Sequence, residues 1–418
     1  MNQIIMWIMA VGAVLGGVDR IAGNRFGLGK RFEEGFTLLG PTALSMSGII
    51  CLTPLLSRFL RFALVPIWNF LGLDAGLLAG ILAIDMGGYQ LAGELSASQE
   101  MVRYAGLVIA ATLGCTITFT IPVGMGMLKS GDRLFFSRGM LIGTGTLPVT
   151  MIVGGLLSGL SFLQIVLQSL PVLLFCFLLM FGIWRFPEQT VRAFTVFADV
   201  IRLLTTIGLI AGAFCYMTGF SLLPDLAPLE DAMAVVSSIG IVLLGSLPTA
   251  ELLQRVLKKP LSFIGRKTGM NDSSAAGLLM GIVSPVPAIT MMEKMDERGK
   301  IVNAAFLVSA ASTIAAHMGF TFGTDPDFVV PLLVAKLAGG IAAVCAALFF
   351  TKKSAYSKTR KERKKGSAAG RELQGTDLKA YRGTTKIRDA VIHVLQCWIF
   401  CIIFWNCYNC LRAYIATQ

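Results

Sequence analysis

An acidic residue and a glycine pair interrupt one of the most apolar stretches of this sequence. Asp85, Gly87, Gly88 and Tyr89 lie in the middle of Ala75–Leu95, which otherwise has the composition of a membrane span. Irregular backbone at membrane depth persists only where protein or a water-filled cavity receives its free N–H and C=O groups. The interruption therefore predicts a binding site.

A second stretch, Ala276–Asp296, is broken at the corresponding place by Ser284, Pro285 and Pro287. Both stretches begin with the pattern AGLLxGI, and a second pattern, AxLVxAA, follows at residues 105–111 and again at 305–311. Paired interruptions in two repeats indicate the substrate site of a secondary transporter. The prolines remove backbone donors, which leaves carbonyls and the Ser284 hydroxyl able to coordinate a hydroxyl or a cation.

Asp85 offers the clearest chemistry. Its carboxylate is able to hold an ammonium group by charge, while the ring of Tyr89 supplies a cation–π face. The alternative is a salt bridge to Lys336, which lies well inside the apolar stretch Phe328–Phe350. The two interpretations coexist if a cationic substrate displaces the lysine.

Two further polar residues lie in the predicted span Ile301–Gly323. His317 is able to bind substrate or relay protons, and a helix-to-helix hydrogen bond is the alternative. Asn303 is able to accept from a substrate hydroxyl, with packing as its alternative. The predicted substrate-binding residues are Asp85, Gly87, Gly88, Tyr89, Ser284, Asn303, His317 and Lys336.

The composition is that of a polytopic membrane protein. Of 418 residues, 55% are hydrophobic and 14% charged, and the mean hydropathy is +0.72. The net charge of +12 comes mainly from residues 352–418, which hold 14 basic and 4 acidic residues. A basic segment directly after a membrane span is typical of cytoplasmic orientation or of contact with anionic lipid, and not of nucleic-acid binding.

Apolar length predicts nine spans: Asn2–Val18, Gly35–Leu56, Tyr104–Leu128, Leu134–Ser158, Phe162–Trp184, Ala193–Gly219, Ala232–Val256, Ile301–Gly323 and Phe328–Phe350. If both broken stretches are re-entrant, nearly all basic loops lie inside and the acidic loops Ser221–Asp231 and Thr324–Asp327 lie outside. The predicted fold is therefore an all-α polytopic membrane protein. It has about nine transmembrane helices plus two re-entrant broken helical hairpins in inverted repeats, with the N-terminus outside and residue 352 beginning in the cytoplasm.

The predicted regions are an N-terminal span and basic loop (1–34), a first repeat (35–158), connecting spans (159–231), a second repeat (232–351) and a basic tail with an apolar, cysteine-rich end (352–418). The composition of the tail differs from that of the rest of the chain, since its apolar part has no glycine and contains four cysteines. It is therefore interpreted as non-native or poorly ordered sequence, with a tenth span or an interfacial helix as alternatives. A homo-oligomer is compatible with the sequence.

Enzyme signatures are missing from the sequence. It contains no phosphate-binding glycine loop, no HExxH pattern and only two histidines, so we expect neither ATP hydrolysis nor His-based metal catalysis. Cys397, Cys401, Cys407 and Cys410 lie among aromatic residues, and we expect no metal there. We expect no cofactor.

The chain resembles the EutH-type ethanolamine-utilisation permeases over residues 1–350. The resemblance is carried by DMGGYQLAGEL from residue 85, by MDERGKIVNAAFLVSAA from residue 295, and by AHMGF and LVAKLAGG. It implies a bacterial inner-membrane protein that brings in ethanolamine, chiefly in its protonated form, for degradation. It also implies that Asp85, Gly87, Gly88, Asn303, His317 and Lys336 occupy family-like positions, together with Glu94, Asp296, Arg298 and Gly299.

This sequence departs from the family pattern at Ala316, where the family has an acid, and at Ser284, where it has an asparagine. If that acid serves the ammonium group, more of the task falls to Asp85 or the substrate differs. The leading interpretation is a transporter for ethanolamine or a similar small hydroxylated ammonium compound. The alternative is an ion-translocating subunit of a membrane enzyme, such as a sodium-pumping decarboxylase.

Overall fold

The computed structural model describes residues 2–82 and 85–351, and every regular element in these ranges is helical. The long apolar helices are α1 (Asn2–Ile21), α3 (Leu39–Ala63), α9 (Ser130–Ser158), α10 (Phe162–Arg185), α11 (Pro187–Thr218), α12 (Leu229–Thr268) and α17 (Val329–Phe350). Shorter helices are α2 (Leu28–Thr37), α4 (Val65–Phe70), α5 (Leu77–Ile81), α6 (Gly88–Leu95), α7 (Gln99–Arg103), α8 (Ile121–Met127), α13 (Asp272–Val283), α14 (Pro285–Met291), α15 (Glu297–Ala310) and α16 (Ala316–Thr324). The predictions for the tail lie outside the described residues.

Eight helices in the described part of the chain are long and apolar enough to cross a membrane. One of them joins α7 to α8 as a continuous helix, Gln99–Met127, whose middle contains the π-helical stretches Tyr104–Gly114 and Thr116–Thr120. These eight helices correspond to eight of the nine predicted spans. The prediction of an all-α polytopic membrane protein is confirmed.

The ninth predicted span, Ile301–Gly323, is wrong as a continuous helix because α15 ends at Ala310 and α16 begins at Ala316. Within the link, Ser312 has a left-handed backbone, with φ at 56°. The N–H of Ser312 donates to the carbonyl of Gly281 at 3.1 Å, and that of Ile314 donates to Ile282 at 3.1 Å. The last carbonyls of a helix have no intrahelical donor, so the link satisfies the C-terminal end of α13.

The first broken stretch returns to the place where it begins. Asp74 accepts hydrogen bonds from the Gly76 N–H at 2.7 Å, from the Ser96 hydroxyl at 2.6 Å and from the Ala97 N–H at 3.2 Å. Since residues 74 and 96 are in contact, the chain reverses between α5 and α6. The reversal includes a 3₁₀ turn at Asp85–Gly87.

The second broken stretch is closed in the same way. The Ser274 hydroxyl donates to Asp296 Oδ1 at 2.7 Å, and the Asn271 N–H donates to the same oxygen at 2.9 Å. The break is at Ser284, whose backbone is extended at φ −155° and ψ 137°, and Pro285 begins the next helix. We name residues 74–96 and 271–296 hairpin one and hairpin two. The inverted relationship of the two repeats stays a prediction.

The helix Gln99–Met127, which follows hairpin one, crosses α15 and α16, which follow hairpin two, in the opposite direction. The two segments meet near the middle of the crossing, where the Thr116 hydroxyl is shared between the carbonyl of Thr112 at 2.8 Å and that of Val308 at 3.1 Å. At one end Arg103, near the start of Gln99–Met127, pairs with Asp325, which follows α16. At the other end Lys300, in the first turn of α15, pairs with Asp132 in the first turn of α9. The start of each helix therefore lies near the end of the other.

Candidate functional site

Among the described Lys, Arg, Asp and Glu residues, Lys336 on α17 is the most deeply buried, with an exposed fraction of 0%. Its ammonium group donates to the carbonyl oxygen of Ala111 at 2.6 Å. Ala111 lies in the π-helical stretch Tyr104–Gly114, where the α-helical hydrogen-bond pattern is lost. Departures of this kind are frequent at functional sites. A buried backbone carbonyl thus accepts a hydrogen bond from the Lys336 side chain.

A related contact occurs in the second repeat. His317 Nδ1 lies 3.1 Å from the carbonyl oxygen of Ala311, and the imidazole is buried. This contact requires the proton on Nδ1. Ala111 and Ala311 occupy the same place in the repeated pattern AxLVxAA. In each repeat, therefore, the carbonyl at this equivalent position accepts from a side-chain nitrogen. Both carbonyls lie where regular α-helix is lost, in a π-helical stretch at Ala111 and after the end of α15 at Ala311.

Two buried hydroxyls that were not predicted from the sequence lie against α17, one turn after Lys336. The Thr150 and Ser309 hydroxyls lie 2.9 Å apart, and either one donates to the other. Gly339, three residues after Lys336, lets α17 approach them, since a Cβ at this position would lie 1.8 Å from Thr150 Oγ1. Serine and threonine are common in membrane helices, where they often bond to their own backbone, so the sequence carried no signal for this cluster.

The tip of hairpin one contacts Ala110, the neighbour of Ala111 in the sequence. Gly87 and Gly88 are buried, and a Cβ at Gly88 would lie 2.9 Å from the Cβ of Ala110. The glycine at this position therefore permits the close approach. Gly88 therefore contacts Ala110, and Lys336 contacts Ala111, the next residue of the same helix.

Tyr89 extends from the tip toward the Arg103–Asp325 ion pair. Its hydroxyl accepts from the side-chain amide of Gln99 at 3.1 Å. Its ring meets that of Phe320 edge to face, with centroids 6.4 Å apart. These contacts join hairpin one to α16, so Tyr89 lies between the tip and the ion pair.

Ser284 is half-buried at the break of hairpin two, two residues after Ile282, which contacts the link that precedes His317. Asn303 lies nearer the closed end of that hairpin. Its amide donates to the carbonyls of Ser274 at 2.8 Å and Gly299 at 2.9 Å. The bond to Ser274 fixes hairpin two to α15, and the bond to Gly299, one turn earlier on α15, holds the Asn303 side chain in place.

The side chain of Asp85 lies outside the described residues, although its backbone belongs to the 3₁₀ turn. Its predicted contacts with a substrate and with Lys336 therefore stay predictions. The described groups supply carbonyl acceptors, hydroxyls and apolar walls in the interior of a membrane protein. This combination suits a small molecule that carries an ammonium group and a hydroxyl.

Comparisons with known proteins agree with this chemistry. Residues 1–350 match the family model described as "Ethanolamine utilisation protein, EutH". A "Probable ethanolamine permease EutH" from Listeria monocytogenes is 39% identical over 362 residues, which cover 86% of this chain and 97% of the relative. The Escherichia coli protein of the same name is 34% identical, covering 86% of this chain and 98% of its own length. No solved structure matches this chain.

A third relative, "Uncharacterized protein YxeR" from Bacillus subtilis, is 34% identical over 351 residues, or 84% of this chain and 95% of its own. The permease names of the other relatives support a transporter role. The family match extends from the first residue to the end of α17, and therefore includes both hairpins and the residues around Lys336. The chain is a multi-pass membrane protein that belongs to the EutH ethanolamine-utilisation family.

Proposed function

We propose that this protein carries ethanolamine, in its protonated form, inward across the bacterial inner membrane. The single observation that supports this most strongly is the contact between the Lys336 ammonium and the Ala111 carbonyl at 2.6 Å. Ethanolamine carries the same chemical group, a primary alkylammonium. An interior that stabilises one such group, where an isolated charge is costly, provides suitable acceptors for another.

The substrate enters between the tip of hairpin one and the break of hairpin two. Its ammonium is received by the Asp85 carboxylate and by the Ala111 carbonyl, and its hydroxyl by Ser284 or His317. Substrate binding displaces Lys336 from Ala111. Asn303 positions hairpin two through its bond to the Ser274 carbonyl.

Moving the cation inward uses the membrane potential directly. One charge moving down 100 mV gains about 2.3 kcal/mol, which corresponds to accumulation of about 50-fold. A coupling ion is therefore unnecessary for uptake of scarce substrate. The neutral base, in contrast, would gain nothing from the potential.

The experiment is uptake of labelled ethanolamine into liposomes that contain only this protein. We expect saturable uptake that exceeds uptake by protein-free liposomes and that is independent of added sodium. Absence of saturable uptake would contradict the proposal. Absence of uptake together with sodium transport that requires a soluble catalytic partner would favour the membrane-enzyme subunit.

Competition by analogues tests recognition of the ammonium. Propylamine keeps the ammonium and lacks the hydroxyl, whereas ethylene glycol keeps a hydroxyl and lacks the ammonium. We expect propylamine to compete with labelled ethanolamine more strongly than ethylene glycol does. Equal competition would mean that the carbonyls do not recognise the charged group.

A further inference from the structure

Two ion pairs in this structure share an arrangement of three side chains, a cation, an acid and an aromatic ring, that was not predicted from the sequence. Arg103 donates to Asp325 through two nitrogens, Nε at 2.6 Å and Nη2 at 3.0 Å. The guanidinium also lies 5.7 Å from the ring centroid of Phe328. The cation from the start of one crossing helix is therefore held by an acid and by a ring three residues further on.

The second pair repeats this arrangement at the other end of the crossing. Lys300 Nζ donates to Asp132 Oδ1 at 2.5 Å and lies 5.9 Å from the ring centroid of Phe135. Each acceptor segment has the sequence Asp-x-x-Phe and comes just after the end of a crossing helix. We name Arg103–Asp325–Phe328 the first latch and Lys300–Asp132–Phe135 the second latch.

Both latches are more buried than the other ion pairs of the described residues. The side-chain exposed fractions are 28% and 7% for Arg103 and Asp325, and 11% and 17% for Lys300 and Asp132. In contrast, the Lys129–Glu293 pair beside the second latch is 74% and 62% exposed. Exposed pairs contribute little to stability, whereas breaking a buried pair is costly.

We propose that the two latches are alternating gates, one for each face of the membrane. This inference rests on the transporter role of the proposed function. Both latches are closed in this structure. Release of the first latch frees α16 and Phe328 from the start of Gln99–Met127, and opens the site toward the side where Ser98 lies. Release of the second latch opens it toward the side where Glu297 lies.

The antiparallel crossing makes opposed opening possible. Because the break at residues 311–315 separates α15 from α16, either helix is able to tilt against Gln99–Met127, which separates one latch while the other stays closed. The Thr116–Val308 hydrogen bond lies near the middle of the crossing, where such a tilt moves atoms least. We expect Tyr89 to move when the first latch opens, because it contacts Phe320 on α16 and Gln99, one turn before Arg103.

Labelling of a cysteine at the site tests the gates without any substrate. The chain has its native cysteines replaced and carries Ser284→Cys, and a membrane-impermeant thiol reagent is applied from each side in turn. Separate Ser98→Cys and Glu297→Cys chains identify which side each end faces. We expect Asp325→Asn to raise the labelling rate of Ser284→Cys about tenfold when the reagent is applied from the Ser98 side. We expect Asp132→Asn to raise that rate about tenfold when the reagent is applied from the Glu297 side.

The matched controls are Asp225→Asn and Glu293→Gln, which remove the acids of the exposed pairs with Arg58 and Lys129. We expect neither to change labelling. Unchanged labelling in both latch variants, or an increase on the same side in both, would overturn the gates. The labelling assay contains no ethanolamine, so its result is independent of the substrate. If the latch variants label from opposite sides but the protein does not take up ethanolamine, the gates are supported and only the proposed substrate is wrong.

A second measurement covers latch variants that fold poorly. Both residues of one latch pair, either Arg103 and Asp325 or Lys300 and Asp132, are changed to cysteine. The two cysteines are then cross-linked in the membrane. We expect either cross-link to stop transport and a reductant to restore it. A cross-link between Arg20→Cys and Glu33→Cys, which joins α1 to α2, is expected to leave transport unchanged. Full cross-linking of either latch with undiminished transport would overturn the proposal.

Discussion

The Ser96 hydroxyl donates to Asp74 at 2.6 Å across a separation of 22 residues, and this bond closes hairpin one. Hairpin two is closed by the same chemistry at the same separation, with the serine first, at Ser274, and the acid second, at Asp296. A carboxylate thus fixes both ends of each broken stretch. The tips are free of this constraint, which allows them to carry irregular backbone.

The closure of hairpin one gives a test of its contribution to stability. Asp74→Ala removes three hydrogen bonds to a half-buried carboxylate, and we expect a loss of about 2 kcal/mol. Glu94→Ala, at an exposed carboxylate of the same hairpin, is the matched control and should have almost no effect. The measurement is thermal unfolding of the detergent-solubilised protein. Equal effects of the two changes would mean that Asp74 does not hold the hairpin.

The approach of the hairpin one tip to Ala110 is tested by two glycines of α6. We expect Gly88→Ala to lower ethanolamine uptake at least about tenfold, because its new Cβ would lie 2.9 Å from the Ala110 Cβ. Gly93→Ala adds the same group where no atom lies within 4 Å, and we expect normal uptake. Normal uptake by both variants would show that the tip does not need this close contact.

Hairpin breaks were predictable where glycine or proline marks them, as at Gly87 and Pro285. The break between α15 and α16 was not predictable, because residues 311–315 contain neither residue type. Its cause is a tertiary contact, namely donation by the Ser312 and Ile314 N–H groups to α13. The acceptor of Lys336 was hidden for a similar reason, since a backbone carbonyl has no sequence signature.

The left-handed backbone of Ser312 distinguishes two substitutions at one position. Glycine adopts this conformation without steric cost, whereas a β-branched residue does not. We therefore expect Ser312→Gly to keep uptake and Ser312→Val to lower stability by about 2 kcal/mol. Thermal unfolding and uptake are measured on both. Wild-type stability of Ser312→Val would contradict the importance of the strained link.

The exposed pair of Lys129 and Glu293 predicts a pH effect on stability that is separate from transport. The hydrogen bond and charge of Lys129 hold the pKa of Glu293 below its ordinary value of 4.5. A lowered folded-state pKa stabilises the protein above that ordinary value, and this contribution is lost as pH falls through the lowered pKa. We expect Glu293→Gln to lower the Tm slightly near neutral pH and to match wild type in strong acid. A difference that grows in acid would contradict the pairing.

Lys336 is tested by a substitution that keeps its length and removes its charge. If substrate displaces Lys336 from the Ala111 carbonyl, Lys336→Met removes a competing cation, and we expect a KM for ethanolamine at least about threefold lower. Ile341→Met, at an exposed position of the same helix, is the control and should leave the KM unchanged. If the variant folds normally and its KM is higher, Lys336 contacts the bound substrate and does not compete with it for the Ala111 carbonyl.

Transport of the ammonium cation is tested most directly by the initial rate of ethanolamine uptake into protein-containing liposomes, measured against membrane potential at acid and at alkaline pH. Leakage through protein-free liposomes is subtracted. We expect an inside-negative potential to accelerate uptake, and protein-dependent uptake to dominate in acid medium, where nearly all the amine is protonated. A rate that ignores the potential and rises with the concentration of neutral base would contradict transport of the cation.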